Sequence, residues 1–529
     1  MEVHDHIVVG SGCTGAMAAQ TLVEAGARVT MLDVGLKDEK YSSLIPPVDF
    51  TRARETDKEQ SRYLLGDEFE ALRENEIATG AQLTPPRFHM AKQVLDAIHS
   101  EDLFPMESFA YGGLGSGWGL GCCMFSDAEL EACGLNAAEM KNAYRVVAER
   151  IGVSGTKDDA APYTCASLDG IMPSIEMDNN GSTLFKVYSD KRKKLNENGF
   201  FLGRPSLALL TEDRDARKKY AYRDLDFYSD KEQSAYRPWI TVNELRKKNN
   251  FNYIPGKAVI SFSERDNGIE VKCFDAGTKE MKSYLAKKLV LAPGVLQTAR
   301  IVLRSLGGDR VPLLCNPYCY IPAIQWRMLG KQLGEKKTGF AQLSLFHDPQ
   351  RNNMDVAMAS IYSYNSLMMF RIIKQVPLDH RNARVLMQYL MPAFSIFGIH
   401  HPEKSSAQKF LQRKAGAGEG GKFFAEYRLS EEEKMKMDVR EKGYLRAIKQ
   451  LGCYPIKRID PGMGSSIHYA GTLPFSENNR FSIFRNGRLN GTQNIFVADG
   501  SGFRYLPAKG LTFSLMANAH NVAKNCLND

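Results

Sequence analysis

The feature that most limits what this chain can fold into is a glycine triplet between two apolar stretches near its start. His6-Ile-Val-Val-Gly10-Ser-Gly12-Cys13-Thr14-Gly15 reads as a buried strand running into a tight turn. Ala16 to Ala25 reads as a small-residue helix stopped by Gly26, and Arg28-Val-Thr-Met-Leu-Asp33 as a second strand ending on an acid. Gly10 permits the turn, Gly12 lets main chain approach a pyrophosphate, and Gly15 lets the helix pack close to the strand. The helix start offers free N–H groups and a positive dipole end to phosphates. Asp33 falls where a carboxylate accepts hydrogen bonds from a ribose diol. A glycine triplet alone is a weak signal. Strand, helix, second strand and acid together favour a dinucleotide site over an ordinary glycine turn, without choosing between FAD and NAD.

At 529 residues the chain is too long for one core, so two or more domains are expected. The net charge of +8 is the small difference between 69 basic and 61 acidic residues. It suits a mixed solvated surface. It is also compatible with a phosphorylated substrate or an anionic membrane face. Paired Cys/His fingers and RNP-like aromatic strands are absent, which argues against nucleic acid. The ten cysteines are scattered without the tight spacing of a zinc site. They read as free thiols, with no metal. Met1 to Asp5 is short and polar, and no run of about 18 apolar residues occurs. The expected location is cytoplasmic, with peripheral membrane contact allowed.

A second glycine-dense stretch, Phe109 to Cys123, places six glycines, Ser116 and Trp118 within a few residues. That density costs backbone entropy. It is expected where main chain lies against a large ligand. Polar helices are expected over Asp127 to Glu149, a short strand at Ser206 to Thr211, and a solvated excursion from Asp213 to Asp230. A helix is expected over Trp239 to Asn249. Ala258–Ser263, Ile269–Phe274 and Met281–Ala286 alternate and read as a three-strand meander. A separate buried strand, Lys288 to Ala292, then leads through Gly294 into a helix. Beyond Pro312 come Met- and aromatic-rich strands (340–346, 356–362, 367–370) and a helical stretch from Arg381 to about Ile399, broken at Pro392. A basic Gly-rich loop spans Lys404 to Lys422. A strand follows at Phe423 to Leu429, then a helix capped by Ser430 that runs to Leu451. The methionines suit an adaptable core or a lipid-like pocket. A last buried strand ends at Asp499, and a small-residue helix starts at Thr512.

Four ordered blocks carry a family resemblance: Gly10/Gly12/Gly15 to Asp33; Gly112-Gly113 to Trp118-Gly119; Leu291-Ala292-Pro293-Gly294 to Ser305; and His468-Tyr-Ala-Gly-Thr472 to Asp499-Gly500-Ser501 and Met516-Ala-Asn-Ala. The sequence resembles the glucose–methanol–choline (GMC) oxidoreductases, as a divergent bacterial-type member. That resemblance implies an α/β plus α+β chain: a Rossmann-like FAD-binding domain of the p-hydroxybenzoate-hydroxylase type beside an antiparallel-sheet substrate domain. The implied FAD-binding domain is discontinuous (1–45, 85–125, 201–312 and 456–529). The substrate domain takes 126–200 and 313–455, with 46–84 as an excursion or lid. Gly10, Gly12, Cys13, Thr14 and Gly15 would cradle the pyrophosphate and Asp33 the ribose, with Val259 near the adenine. Gly113, Ser116, Trp118, Ala292, Asp499, Gly500 and Thr512 would follow the rest of the cofactor.

The resemblance makes His468 the active-site base for oxidising a CH–OH group with hydride transfer to flavin N5. A histidine of ordinary pKa can take the hydroxyl proton. The implied substrate is a sugar- or polyol-like alcohol, with a lipid- or nucleotide-linked form left open, and the electron acceptor is oxygen, a quinone or a carrier. The family's second polar residue before the last helix falls here on Gly510 or, one residue away, on Lys509. The other histidines read as structural or surface. With that second position in doubt, a redox-neutral or reductive flavoenzyme and a non-catalytic FAD-binding partner protein stay open.

Overall fold

A computed structural model describes residues 2–72, 84–224, 228–363, 377–414 and 421–528. The first strand β1 (Val3–Val9), helix α1 (Cys13–Glu24) and strand β2 (Val29–Leu32) start the larger of the two main sheets. Two capped helices follow, α2 (Asp127–Cys133), with a reciprocal Ser126/Glu129 capping box, and α3 (Ala137–Ile151), capped by Asn136. Next come α4 (Asn179–Glu197), β3 (Phe200–Gly203), α5 (Pro238–Leu245) and β4 (Phe251–Ile254). The meander is β5 (Lys257–Arg265), β6 (Gly268–Asp275) and β7 (Met281–Leu291), followed by α6 (Val295–Leu306).

The second half begins with β8 (Tyr318–Gln325), β9 (Leu343–His347), β10 (Ala357–Ser363), α7 (His380–Leu390) and β11 (Phe394–His400). It continues through β12 (Lys409–Lys414), β13 (Lys422–Tyr427), α8 (Glu431–Gln450) and β14 (Cys453–Pro455), and ends with β15 (Ile495–Val497) and α9 (Thr512–Asn528).

In the larger sheet, β4-β2-β1-β7-β15 are parallel throughout, β6 adds antiparallel to the first half of β7, and β5 adds antiparallel to β6. The expected break between a meander strand and a separate buried strand is absent. β7 is one continuous strand, whose residues 281–286 face β6 and whose 289–291 face β15. The second sheet, ordered β14-β8-β11-β10-β9-β3, is antiparallel throughout.

Local choices differ from expectation where tertiary pairing overrides pattern. Phe394 to Ile399 is strand, not helix: Pro392 ends the helical run, and Phe-Ser-Ile-Phe-Gly-Ile then fills a place between β8 and β10. Ser206 to Thr211 makes isolated bridges through Leu207 and Leu209, without a strand. The expected solvated excursion at 213–230 buries Tyr228. Helix α4 has no counterpart in the expectations. The expected strand at 367–370 lies outside the described residues, as do 415–420 of the Gly-rich loop and 73–83 of the excursion.

One large core joins the parallel sheet with α1, α9 and α3, and it also takes in Leu130 of α2, Leu411 of β12 and Phe423 of β13. The helices of 127–151 therefore pack with the first sheet, although the sequence grouped them with the substrate domain. A smaller core fills the space between the second sheet and α4 and α8, and β3 straddles the expected boundary at 200/201 to join it. All ten cysteines are buried free thiols.

The start of α1 comes close against the turn that ends β1. A Cβ on Gly15 would lie 1.9 Å from the Gly10 carbonyl oxygen, and Gly10 itself has φ +94° with Ala292 O 2.8 Å from where its Cβ would be. Gly15→Ala is expected to lower the thermal midpoint sharply, since overpacking costs on the order of 1–3 kcal/mol even when the neighbour can move. Gly12→Ala, whose Cβ would meet only Gly112 O at 3.9 Å, should leave it nearly unchanged. Calorimetry of the pair decides, and equal midpoints would remove the close crossing as the cause.

Candidate active site

The carboxyl ends of β1, β2 and β7 open onto a cavity of about 850 Å³, whose opposite wall is the inner face of the second sheet. Three helix starts reach it: Gly12 to Thr14 of α1, Gly294 to Gln297 at α6, and Leu511 and Thr512 at α9. None carries an acid in its first turn, and neither α1 nor α6 has a side-chain cap. Free N–H groups and three positive dipole ends therefore converge on one space, which suits a polyanionic ligand.

Two buried carboxylates mark this half. Asp33 accepts from Ser11 Oγ at 2.5 Å and Tyr253 OH at 2.9 Å, and Gly112 N donates to the same Ser11 oxygen at 2.8 Å. Burial pushes the Asp33 carboxyl up to about 6, against those hydrogen bonds. Asp499 accepts from Thr298 Oγ1 and Ser501 Oγ, each at 2.6 Å, and burial raises it too. Asp33 thus ties β2 to the glycine loop, and Asp499 ties β15 to α6.

The glycine-dense loop makes one 3-10 turn, Gly113–Ser116. Part of its glycine is demanded by protein packing: a Cβ on Gly115 would meet Cys13 Sγ and Pro238 Cγ at 2.6 Å, whereas one on Gly119 or Gly121 would meet nothing within 4 Å. Trp118 is held by Nε1 donating to Tyr236 O at 2.9 Å and by Arg237 donating to its carbonyl at 2.7 Å.

His468 follows Ile467, a non-glycine residue at φ +58°. Its Nδ1 lies 3.1 Å from Asn316 Oδ1. The Asn316 amide nitrogen donates to the carbonyls of His401, Leu506 and Pro507 at 2.8 to 3.3 Å. A flipped amide would set oxygen against three oxygens, so Oδ1 must face His468, and Nδ1 must carry the proton. Nε2 is then the basic nitrogen turned to the cavity. Burial holds the ring well below the usual histidine range, at about 4, so it is neutral near pH 7.

Of the sixteen residues singled out in the sequence, thirteen line this cavity: Gly10, Gly12, Cys13, Thr14, Asp33, Gly113, Trp118, Val259, Ala292, His468, Asp499, Gly500 and Thr512. Gly15 lies behind it at the helix crossing. Ser116 turns its hydroxyl to Tyr111 O at 2.7 Å. Lys509 is fully buried outside the cavity, with Nζ 2.6 Å from Glu129 and also paired with Asn353, and Gly510 forms the wall instead. The side chain of Lys509 therefore does not reach the substrate space expected for it.

Two residues of the site carry no motif in the sequence. His400, at the end of β11, lines the cavity and stacks on His468 with ring centroids 5.0 Å apart. Its Nδ1 is buried without a hydrogen-bond partner, and burial holds this ring, too, well below the usual range. Asn316 is the other. Only the alternation of Tyr318, Tyr320 and Pro322, all cavity-lining on β8, hinted that this sheet faces a ligand. On the sheet's far face Cys319, His401 and Glu441 draw together, but the Arg458 guanidinium pairs with Glu441, giving an ion-pair cluster.

No family model matches the chain, and no curated sequence matches it. A solved structure does. Pyridoxine 4-oxidase from Mesorbium loti superposes with a TM-score of 0.58, covering 99% of each chain at 13% identity. The chain shares its mixed α/β fold over the full length.

Breaking the Lys509–Glu129 pair leaves a carboxylate stranded at zero exposure. Lys509→Met is expected to destabilise by about 3–5 kcal/mol in denaturant titration, and Glu129→Gln added to it should recover part of the loss. A stable Lys509→Met protein with only reduced turnover would instead return Lys509 to the chemistry.

Proposed function

We propose that this chain is an FAD-dependent oxidoreductase that oxidises the CH–OH group of an alcohol, with His468 as the base. The observation that carries the reading is a neutral histidine of fixed tautomer at the junction of a polyanion-binding half and an aromatic-walled half of one cavity. The fold shared with an oxidase supports it. The residues present fit the cofactor. The α1 start would take the pyrophosphate, Asp33 the adenosine ribose, and Trp118, Asp499 and Thr512 the flavin half.

Bound FAD supplies the hydride acceptor. His468 Nε2 accepts the hydroxyl proton as the C–H hydride leaves, and Asn316 holds the ring so that this nitrogen has a free lone pair. His400 has its Nδ1 buried without a partner, and a buried orphan lone pair costs less than a buried orphan N–H. The favoured tautomer therefore carries its proton on Nε2, aimed at the cavity. That N–H would hold the substrate oxygen, the task left open by the bare wall at Gly510. Such a donor on the other sheet would supply the second polar group whose absence motivates a redox-neutral reading. The substrate half is walled by Tyr318, Tyr320, Tyr362, Phe394 and Ile396, with serines at Ser344, Ser360 and Ser363. Among the described residues this half carries no carboxylate of the kind that grips a free sugar, and it suits an alcohol with a ring or apolar body.

The purified protein should carry flavin and be bleached anaerobically by its alcohol. His468→Ala should keep FAD and lose bleaching rate by roughly 10²–10⁴-fold. Because the base must be neutral and its pKa is lowered to about 4, kcat/KM should hold as pH falls from 7 through 6 and drop only toward 4. An acid limb at 6.5 would remove His468 as that base. His400→Leu should lower kcat by about tenfold or more, whereas His400→Gln, which keeps an N–H donor, should retain most of it. Equal losses in the two variants would assign His400 to packing alone.

A further inference from the structure

At its outer edge the second sheet runs into an apolar and basic surface that alcohol oxidation does not use. Tyr318, Tyr320 and Pro322 of β8 line the cavity, and the same alternation continues through Ile324 to Trp326, which is 58% exposed. β14 lies alongside, with Tyr454 opposite Ile324 and itself 71% exposed. Ile456 and Lys457 follow, exposed and lining the outer end of the cavity. The end of α7 closes up beside Trp326: Gly330 N donates to Tyr389 O at 3.1 Å, and the Tyr389 ring covers Gly330. α7 buries only Ala383 and Met387 and turns Val385, Leu386 and Tyr389 to solvent. A helix with its larger apolar side chains outward needs a cover.

The charge around these side chains selects the cover. Arg458 is paired with Glu441 and Asp460; the other basic side chains of residues 324–331, 378–390 and 453–459, Arg327, Lys331, Arg381, Arg384 and Lys457, are five against one acid, Asp379. A two-fold contact with a second copy would set those cations against their own counterparts. An anionic headgroup layer complements both parts, taking tryptophan and tyrosine rings at the interface and lysine and arginine at the phosphates.

We infer that this face docks the protein peripherally on an anionic lipid surface, with the cavity mouth at Ile456 and Lys457 turned to the lipid. Among the described residues no helix is long and apolar enough to cross a membrane, so the attachment is to the surface. The docking stands on its own geometry and does not require the flavin reading.

Full-length protein co-sedimented with vesicles tests it. Binding is expected to vesicles of phosphatidylcholine with phosphatidylglycerol, weakly or not at all to phosphatidylcholine alone, and to fall as salt rises. The triple variant Trp326→Ser, Tyr389→Ser, Tyr454→Ser should lose about tenfold or more in vesicle affinity, and Arg381→Gln with Arg384→Gln should lose less. The thermal midpoint of each should stay at the parent value, because these side chains are exposed. No binding of the parent to the anionic vesicles, or equal binding by the triple variant, would overturn the inference. So would a parent dimer that the triple variant converts to monomer, with no vesicle binding by either. Vesicle binding as expected, in a protein that no alcohol bleaches, would leave the docking in place and remove the flavin chemistry.

Discussion

The approach of α1 to the Gly10 carbonyl is the contact on which the rest depends. It can exist only without a Cβ at Gly15. It brings α1 down across β1 and β7, so its uncapped start meets the strand ends and not solvent. Helix starts are normally satisfied by a side chain or water. Here Gly12 stands at the cap and offers neither, and the first-turn amides are left to whatever fills the cavity. α6 repeats the device through Gly294. The parallel sheet is thus a frame that aims unpaired donors.

A few buried polar side chains then fasten distant segments to that frame. Ser11 links Asp33 to Gly112, Asp499 links β15 to α6, and Asn316 links the second sheet to both the His468 turn and the Leu506–Pro507 backbone. Each such bond contributes about 1 kcal/mol net, but breaking one leaves a buried group unsatisfied at a larger cost. The geometry of the site is therefore determined less by its lining than by what stands behind it. Arg300, paired with Glu107 at 3.0 Å at almost no exposure, belongs to the same class.

Much of the first sheet was legible in the sequence, because β1, α1 and β2 are built from local rules: a buried apolar run, glycine where φ is positive, an acid at the strand end. The meander was legible from alternation. Phe394 to Ile399 was not, since its apolar spacing suits helix or strand and only the vacancy between β8 and β10 decides. Helix α4 was obscured by its polar composition and by glycine at its start. In the site, residues on local motifs came to the cavity, whereas His400 and Asn316 have no motif. They matter through an amide flip and a ring stack between segments far apart in the chain. Lys509 shows the converse: adjacent in sequence to the cavity wall, it turns the other way because Glu129 waits there.

β15 completes the parallel sheet beside β7, and α9 brings the third helix start to the cavity. On the ribosome these segments emerge long after β1 and α1, which must wait with their apolar edge and unpaired amides uncovered. The sheet lacks β15, and the cavity lacks its third helix start, until the chain has emerged as far as α9. Any factor that holds the nascent protein would act on the interval between Leu291 and Ile495, when β6 covers only residues 281–286 of one β7 edge and 289–291 of that edge stay bare.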